Sequence, residues 1–278
     1  MLVSRFSGLM AGLTLLCVPA IPSTANAAIV DLTVTIENLA PTNSVSFAPT
    51  RVAFHNGSFD PFNNGETAGE AIKSIAEGGS GNAWFPAVTA ADPNAATGTI
   101  AAGGPAVPSG NAGGLSNTAT ATFRIDTNSQ GFFTFANMVV PSNDLFLGND
   151  SPLGLFDSNG ALTTTSILQT GSSIWDANSE VAIAGNAAFL QGSMNDLRVE
   201  EGGVVAFDFA ELATYNGLTT AAGYVFDSSS ITAGTEIFRV SFSSVTAVPE
   251  PSSVLAGVVC CVGLGVRSYR KRRQTAKL

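Results

Sequence analysis

The chain has 278 residues, of which 45% are hydrophobic and 12% are charged, and 29 of them are glycine. This composition excludes an intrinsically disordered chain and suits one large or two small domains built from short strands and turns. Residues 31–250 contain all 21 acidic residues but only five basic ones, a net charge of −16, which excludes nucleic acid as a partner and favours cations.

The first 27 residues have the pattern of a secretory signal peptide. Arg5 supplies the positive charge, residues 9–21 form the apolar core, and Ala25-Asn26-Ala27 is a small-residue cleavage site. A buried N-terminal helix, the alternative, does not account for that tripeptide. We therefore expect an exported protein whose mature chain begins near Ala28.

The body of the chain begins with strand patterns. Residues 29–39 alternate apolar and polar side chains with period two, and residues 45–54 form a second strand candidate broken by a proline. Apolar residues at i, i+3, i+4, i+7 and i+8 from Ala68 to Ala76 predict the one helix of the body, which a pair of glycines ends.

Histidine and cysteine usage limits the chemistry of the body. His55 is the only histidine, and although Asp60 lies close to it in sequence, we favour a role in anchoring a loop because no nucleophile lies nearby. The cysteines Cys17, Cys260 and Cys261 all lie in the apolar terminal segments. The body therefore holds no disulfide, no cysteine zinc site and no histidine-rich metal site.

Residues 87–117 are rich in Ala, Gly, Pro, Asn, Ser and Thr, which predicts an irregular loop. Residues 118–126 alternate cleanly and residues 132–140 are almost continuously apolar, so we expect a hairpin whose second strand is central in a sheet. Many short strands with glycine-rich turns indicate a mainly β fold, an antiparallel β-sandwich. Further strand candidates lie at residues 166–169, 204–209, 224–226 and 237–245.

Two acidic turns follow the predicted central strand. Asp144 lies in the turn that ends this strand, and Asp176 and Glu180 lie four residues apart beside a tryptophan. If loops bring the two turns together, the three carboxylates form an oxygen-rich pocket that suits a hard cation. The alternative is that they are ordinary exposed acids. Asp150 and Asp157 in the intervening loop are spare candidates.

The C-terminus combines Pro249-Glu250-Pro251, an apolar run at residues 254–266 and an arginine-rich end at residues 267–273. As a helix the apolar run spans about 20 Å, short of the roughly 30 Å hydrocarbon core, so a short membrane anchor with a cytoplasmic basic end is one interpretation. The order of the three features resembles the PEP-CTERM sorting signal of exopolysaccharide-exporting bacteria. That resemblance implies a short transmembrane helix within residues 248–278 and removal of the tail by an exosortase.

Four segments carry a second resemblance, in one order along residues 29–246. Together they are similar to the spondin N-terminal domain in its bacterial secreted form. The resemblance implies a C2-like β-sandwich domain with one short helix over residues 28–247, and a calcium site. The four segments are residues 34–39, residues 55–79, residues 135–144 and residues 175–180.

In the spondin family the calcium ligands include an acid of the first turn and two acids of the second. The corresponding residues in this chain are Asp144, Asp176 and Glu180. Two positions depart from the family pattern, since Asn178 stands where glycine is usual and Glu180 stands where animal members have aspartate. Asparagine tolerates a left-handed backbone, whereas the extra methylene of Glu180 changes the geometry of that ligand.

We therefore expect a non-enzymatic adhesion or binding module, stabilised by calcium and located at the cell surface, in the outer membrane or in the extracellular matrix. Its expected partners are the exosortase during export, the membrane through the tail before processing, and an exopolysaccharide or surface ligand. One alternative is an extracellular polysaccharide hydrolase, because glycosidases use paired carboxylates, here Asp176 with Glu180 or Asp208 with Glu211. The other alternative is a purely structural matrix protein.

Overall fold

The computed structural model describes residues 29–111, 113–194 and 197–247. The expected signal peptide, the Pro249-Glu250-Pro251 motif and the apolar tail lie outside these residues. The described chain is mainly β, with its strands in two antiparallel sheets. Within the described ranges, no helix combines the length and the hydropathy that a membrane span requires.

The strands and helices are numbered in chain order. The two α-helices of the described residues are α1 (Glu70–Ala76) and α2 (Trp84–Ala91). Short 3-10 helices include Gly171–Ser173 and Ala210–Tyr215. The strands are β1 (Ile29–Asn38), β2 (Ser46–Phe47), β3 (Thr50–His55), β4 (Ala96–Ile100), β5 (Thr118–Asp126), β6 (Phe132–Val140), β7 (Leu145–Gly148), β8 (Leu153–Gly154), β9 (Ser166–Thr170), β10 (Trp175–Asp176), β11 (Ala206–Phe207) and β12 (Glu236–Ala247).

The first sheet has the strand order β5-β1-β12-β9, and the second has the order β11-β10-β7-β6-β3-β4, with β2 and β8 also paired to β6. In β1 the buried and half-buried side chains alternate along the whole strand, as expected when one face of a sheet covers the core. In β6 eight of the nine residues are buried, which confirms its expected central position.

The main core lies between the two sheets, which form an antiparallel sandwich. The ring centroids of Phe47 in β2 and Phe238 in β12 are 4.8 Å apart, and those of Phe133 in β6 and Phe242 in β12 are 5.0 Å apart. These contacts join the sheets, and each large apolar side chain buried there contributes about 1.5–3 kcal/mol to the free energy of unfolding.

Both α-helices cover the outer face of the second sheet. Ile72 and Ile75 of α1 are fully buried there, together with Trp84 and Val88 of α2. α1 begins two residues after the predicted start at Ala68 and ends at the predicted Ala76. The sheet residues that meet the helices are Ala53, Ala136, Phe146 and Trp175.

The interpretation of residues 87–117 as one irregular loop, and of the body as having one helix, is wrong. This segment contains the end of α2 and all of β4. Its small residues serve close packing, because a side chain at Gly98 of β4 would collide with the ring of Phe123 in β5. The segment therefore joins the two sheets along one edge of the sandwich.

The expected hairpin of β5 and β6 is also wrong. β5 pairs with β1 in the first sheet, whereas β6 pairs with β3 and β7 in the second. Residues 127–131 therefore cross between the sheets, and both strands contribute buried side chains to the core between them, such as Ile125 of β5 and Phe133 of β6. Residues 224–226 make only an isolated bridge, between Val225 and Thr219, in place of the expected strand.

Both ends of the described body lie at one end of the sandwich. β1 begins at Ile29, opposite Asp126 at the end of β5, and β12 ends beside it at Ala247. Residues 127–131 lead from there into β6, which runs along the sandwich to Val140. The acidic turns that follow Val140 therefore lie at the end opposite the termini.

Candidate metal centre

Three carboxylates meet at the end of the sandwich where β6 finishes. Asp144 lies between β6 and β7, Asp176 is the last residue of β10, and Glu211 lies in the 3-10 helix Ala210–Tyr215. One oxygen from each of them lies within 4.8 Å of the other two. Asp144 and Asp176 are buried and Glu211 is half-buried.

Asp144 is completely buried, and its two oxygens have different surroundings. Its Oδ2 accepts hydrogen bonds from the backbone N–H of Ser179 (2.7 Å), the Ser179 hydroxyl (3.1 Å) and the backbone N–H of Glu180 (2.9 Å). Its Oδ1 has no hydrogen-bond partner among the described residues. Since buried polar atoms are almost always paired, the unpartnered Oδ1 is available to a proton, a water molecule or a cation.

Asp176 is placed by β10 and by the turn that follows it. Its main chain pairs with Leu145 on one side and Ala206 on the other. Its Oδ1 accepts a hydrogen bond of 2.7 Å from the backbone N–H of Asn178. Asn178 has φ +47, so the asparagine adopts the left-handed backbone expected at this position, and its Nδ2 donates to the Val204 carbonyl at 2.8 Å.

Glu211 is held by a short helix and by a tyrosine one turn further on. Asp208 Oδ1 accepts hydrogen bonds from the backbone N–H of Ala210 (2.8 Å) and of Glu211 (3.3 Å). The buried Tyr215 hydroxyl lies 2.8 Å from Glu211 Oε1 and 3.0 Å from Asn143 Oδ1.

A phenol has one proton and can donate to only one of these two oxygens. When Tyr215 donates to an ionised Glu211, Asn143 Oδ1 still accepts from the backbone N–H of Ile183 at 3.1 Å, whereas a protonated Glu211 could donate to Tyr215 while Tyr215 donates to Asn143.

The electrostatics of the cluster disfavour three negative charges. Burial raises the pKa of Asp144 to about 6, although hydrogen bonds from Ser179 lower it. Burial and the charge of Asp144 raise the pKa of Asp176 to about 7. Burial raises the pKa of Glu211 to about 8, the Tyr215 hydrogen bond lowers it, and the charge of Asp176 raises it. Desolvation is the largest cause in all three, so a bound cation would favour the ionised forms.

The donor set fits a hard divalent cation. Calcium binds six to eight oxygens, each at about 2.4 Å from the ion. Two oxygens that bind the same ion therefore lie at most about 4.8 Å apart. The three carboxylates meet this limit, and Asp144 Oδ1 is already desolvated and unpartnered. The remaining coordination positions would be filled by backbone carbonyls or water.

Of the three metal ligands predicted from the sequence, the structure brings two together and places the third elsewhere. Asp144 and Asp176 come together as expected. Glu180 is buried, but its carboxylate contacts the guanidinium of Arg198, which also lies 2.8 Å from Glu77 Oε2. The carboxylate that completes the cluster belongs to Glu211, which the sequence analysis considered only as part of a catalytic pair.

The other candidate residues serve local structure. Asp157 is exposed, and its Oδ1 accepts hydrogen bonds from the backbone of Asn159 and Ala161. Asp150, the second spare candidate, is outside the carboxylate group. His55 is fully buried, and its Nε2 lies 2.9 Å from Thr134 Oγ1 while its Nδ1 accepts from the backbone N–H of Gly57, so it anchors a loop as expected.

Comparison of the chain with protein-family models and with curated proteins finds no match.

Proposed function

We propose that the protein is an exported, non-catalytic binding or adhesion module whose loop end is stabilised by a bound calcium ion. The observation that carries the calcium site is the meeting of Asp144, Asp176 and Glu211, with one carboxylate oxygen of each within 4.8 Å of the other two, at an Asp144 whose buried Oδ1 has no hydrogen-bond partner among the described residues. A cation there would join three separate loops, so its binding would rigidify the end of the sandwich that faces away from the termini.

The cellular setting of this proposal comes from the two ends of the sequence. The signal-peptide pattern of residues 1–27 supports export, and the Pro249-Glu250-Pro251 motif with its apolar and basic segments supports sorting by an exosortase. The similarity to the spondin N-terminal domain supports an adhesive role on a surface or in a matrix. An acidic body of net charge −16 suits an environment that contains divalent cations.

The calcium site is tested by the melting temperature of the purified protein. A ligand that binds only the folded state stabilises it by about 2.7 kcal/mol at 100 times its Kd, which is roughly a 5–10 °C rise for a domain of this size. We expect calcium to give such a rise, and Asp144→Asn, Asp176→Asn and Glu211→Gln to abolish it. Magnesium at the same concentration serves as the control for ion size, because it tolerates only near-octahedral coordination.

Two further variants separate the possible ligand sets. Glu180→Gln breaks the ion pair with Arg198 but leaves the cluster of three intact, so it should keep the calcium-induced rise. Asp157→Asn removes one exposed charge away from the cluster and should also keep the rise. Loss of the calcium response in Glu180→Gln, with retention in Glu211→Gln, would restore the ligand set expected from the spondin resemblance.

A polysaccharide hydrolase is the second candidate, because the raised pKa values of Asp176 and Glu211 are of the kind that general acids have. Glycosidases place their two carboxyl groups about 5–5.5 Å or about 6.5–9.5 Å apart on either side of the substrate. Here the oxygens lie within 4.8 Å, and Asp176 is only 6% exposed, which favours binding an ion over enclosing a sugar. New reducing ends released from the producer's exopolysaccharide, and lost in Asp176→Asn, would favour the hydrolase.

A further inference from the structure

One edge of the first sheet is left open. β5 forms one edge, and β4 of the second sheet packs alongside it, with Gly98 of β4 directly against the ring of Phe123 in β5. β9 forms the other edge and pairs only with β12 among the described strands. As far as residues 29–111, 113–194 and 197–247 are concerned, the sandwich is therefore closed along one side and has a free strand along the other.

The free hydrogen-bonding groups of β9 belong to alternate residues. The N–H of Phe242 donates to the Thr165 carbonyl, and Ile167 lies opposite Val240, so odd-numbered residues turn their backbone groups towards β12. Ser166 and Leu168 consequently turn theirs outwards. No backbone partner of these outward groups occurs among residues 29–111, 113–194 and 197–247.

This edge lacks the charges that usually prevent strands from pairing between molecules. Proteins commonly protect an exposed edge with lysine, proline or inward-pointing charges. Residues 158–175, which contain β9, have no Asp, Glu, Lys or Arg, and neither do residues 228–235, which hydrogen bond to the chain just after β9. Leu168 is 43% exposed in the middle of this uncharged strand, and its cross-strand partner in β12 is Arg239.

We propose that a second copy of this chain pairs with β9 in an antiparallel, two-fold symmetric arrangement. With the axis beside Ile167, Ser166 of one protomer lies opposite Leu168 of its partner, and the outward N–H and C=O groups of both residues are satisfied in both protomers. The result is one continuous eight-stranded sheet made from two four-stranded sheets.

A second copy suits this edge because of the charge distribution. Two bodies of net charge −16 repel each other, so they approach most readily where acidic residues are absent, and residues 158–175 around β9 contain none. The short strand SILQT is also self-complementary in this register, because each free backbone group of one copy meets its counterpart in the other.

The test is site-specific disulfide cross-linking of the full chain, with Cys17, Cys260 and Cys261 replaced by serine. Ser166→Cys and Leu168→Cys proteins are oxidised separately and as a mixture. Opposed residues lie about 5.5 Å apart between Cα atoms, which a disulfide bridges, whereas identical residues lie diagonally at about 7–8 Å. We expect the mixture to give several-fold more covalent dimer than either variant alone.

No excess of dimer in the mixture, or equal cross-linking by the exposed Val225→Cys control, overturns the proposal.

Proline at position 168 provides a second test that does not depend on cysteine chemistry. Leu168→Pro removes an outward N–H and leaves the ladder with β12 intact, whereas Leu168→Ala shortens the side chain and keeps the N–H. We expect the mass measured by sedimentation to rise towards the dimer with concentration and ionic strength in Leu168→Ala, and this association to be lost in Leu168→Pro. Equal association of the two variants overturns the proposal.

Discussion

At the scale of single residues, Asp144 distinguishes this cluster from the exposed acids of other loops. Three donors from Ser179 and Glu180 fix its Oδ2, so the carboxylate cannot turn Oδ1 towards solvent. A buried acceptor left unsatisfied costs about 1–3 kcal/mol, and more when it is charged. A cation bound to Oδ1 offsets this cost and also reduces the repulsion from Asp176 and Glu211.

The raised pKa values predict that the calcium-free protein loses stability as the pH rises. In the unfolded chain these carboxyls lose their protons near pH 4, whereas in the folded protein they keep them up to about 6, 7 and 8. Between about pH 4 and pH 8 the unfolded state therefore binds fewer protons, and the free energy of unfolding falls with increasing pH. Melting temperatures measured from pH 5 to pH 8 with a chelator should show this fall.

Calcium should remove most of the fall in the free energy of unfolding with rising pH, because it binds the ionised carboxylates. His55 acts in the opposite direction, since burial lowers its pKa and stability is lost as the pH falls below about 6.5. His55 contributes with and without calcium, so the difference between the two pH profiles reports the cluster alone. Profiles that remain parallel from pH 5 to pH 8 would contradict the assignment of the cluster as the calcium site.

At the scale of elements, regular patterns predicted the long strands and the first helix. The alternation in β1, the apolar run of β6 and the helical spacing in α1 report which side chains face the core, and this information is local. Which strand each strand pairs with, by contrast, is not determined by the sequence close to it. β5 and β6 are separated by only five residues, yet they belong to different sheets because each completes a different hydrogen-bond ladder.

The third carboxylate of the cluster could not be predicted for the same reason. Asp144 and Asp176 come from segments that β7 and β10 pair directly, so their proximity follows from a single strand contact. Glu211 reaches them from a 3-10 helix far along the chain. The only sequence signal was its spacing of four residues from Tyr215, which lets the tyrosine reach its carboxylate.

The turn from Asp176 to Glu180 depends on the left-handed backbone of Asn178. Asn178→Val should cost about 2–3 kcal/mol, because a β-branched residue disfavours φ near +47 and the 2.8 Å hydrogen bond to the Val204 carbonyl is lost. Asn178→Gly loses only that hydrogen bond and should cost about 1 kcal/mol. Denaturant unfolding of the two variants measures the difference. Equal costs would mean that the backbone conformation does not limit this turn.

At the scale of the whole molecule, the termini and the carboxylate cluster lie at opposite ends of the sandwich. β6 spans nine residues, or about 30 Å, between the end where β1 begins and β12 finishes and the end where Asp144 lies. A chain attached through its C-terminal segment would therefore hold the cluster and its loops away from the point of attachment. This placement suits a binding surface.

The net charge of the body predicts that the melting temperature also depends on salt concentration, without a specific binding site. With −16 on residues 31–250, self-repulsion opposes the compact state. Raising sodium chloride from about 0.01 M to about 1 M shortens the Debye length from roughly 30 Å to roughly 3 Å, so the melting temperature of the calcium-free protein should rise gradually. Thermal melts in a chelator across this range measure the effect.

The rise in melting temperature caused by bound calcium should differ from the rise caused by screening, both in how it depends on concentration and in which residues it requires. Binding at one site saturates, and at millimolar calcium the added ionic strength is too small to screen strongly, so a rise that levels off there reports occupancy. Above about pH 8, where Asp176 is ionised, Asp176→Asn and Asp157→Asn each remove one charge, and both should keep the sodium chloride response because it depends on the total charge. Only Asp176→Asn should lose the calcium response, since Asp157 is exposed and lies outside the group of three carboxylates. If Asp176→Asn retains it, calcium acts on this protein by screening its acidic surface.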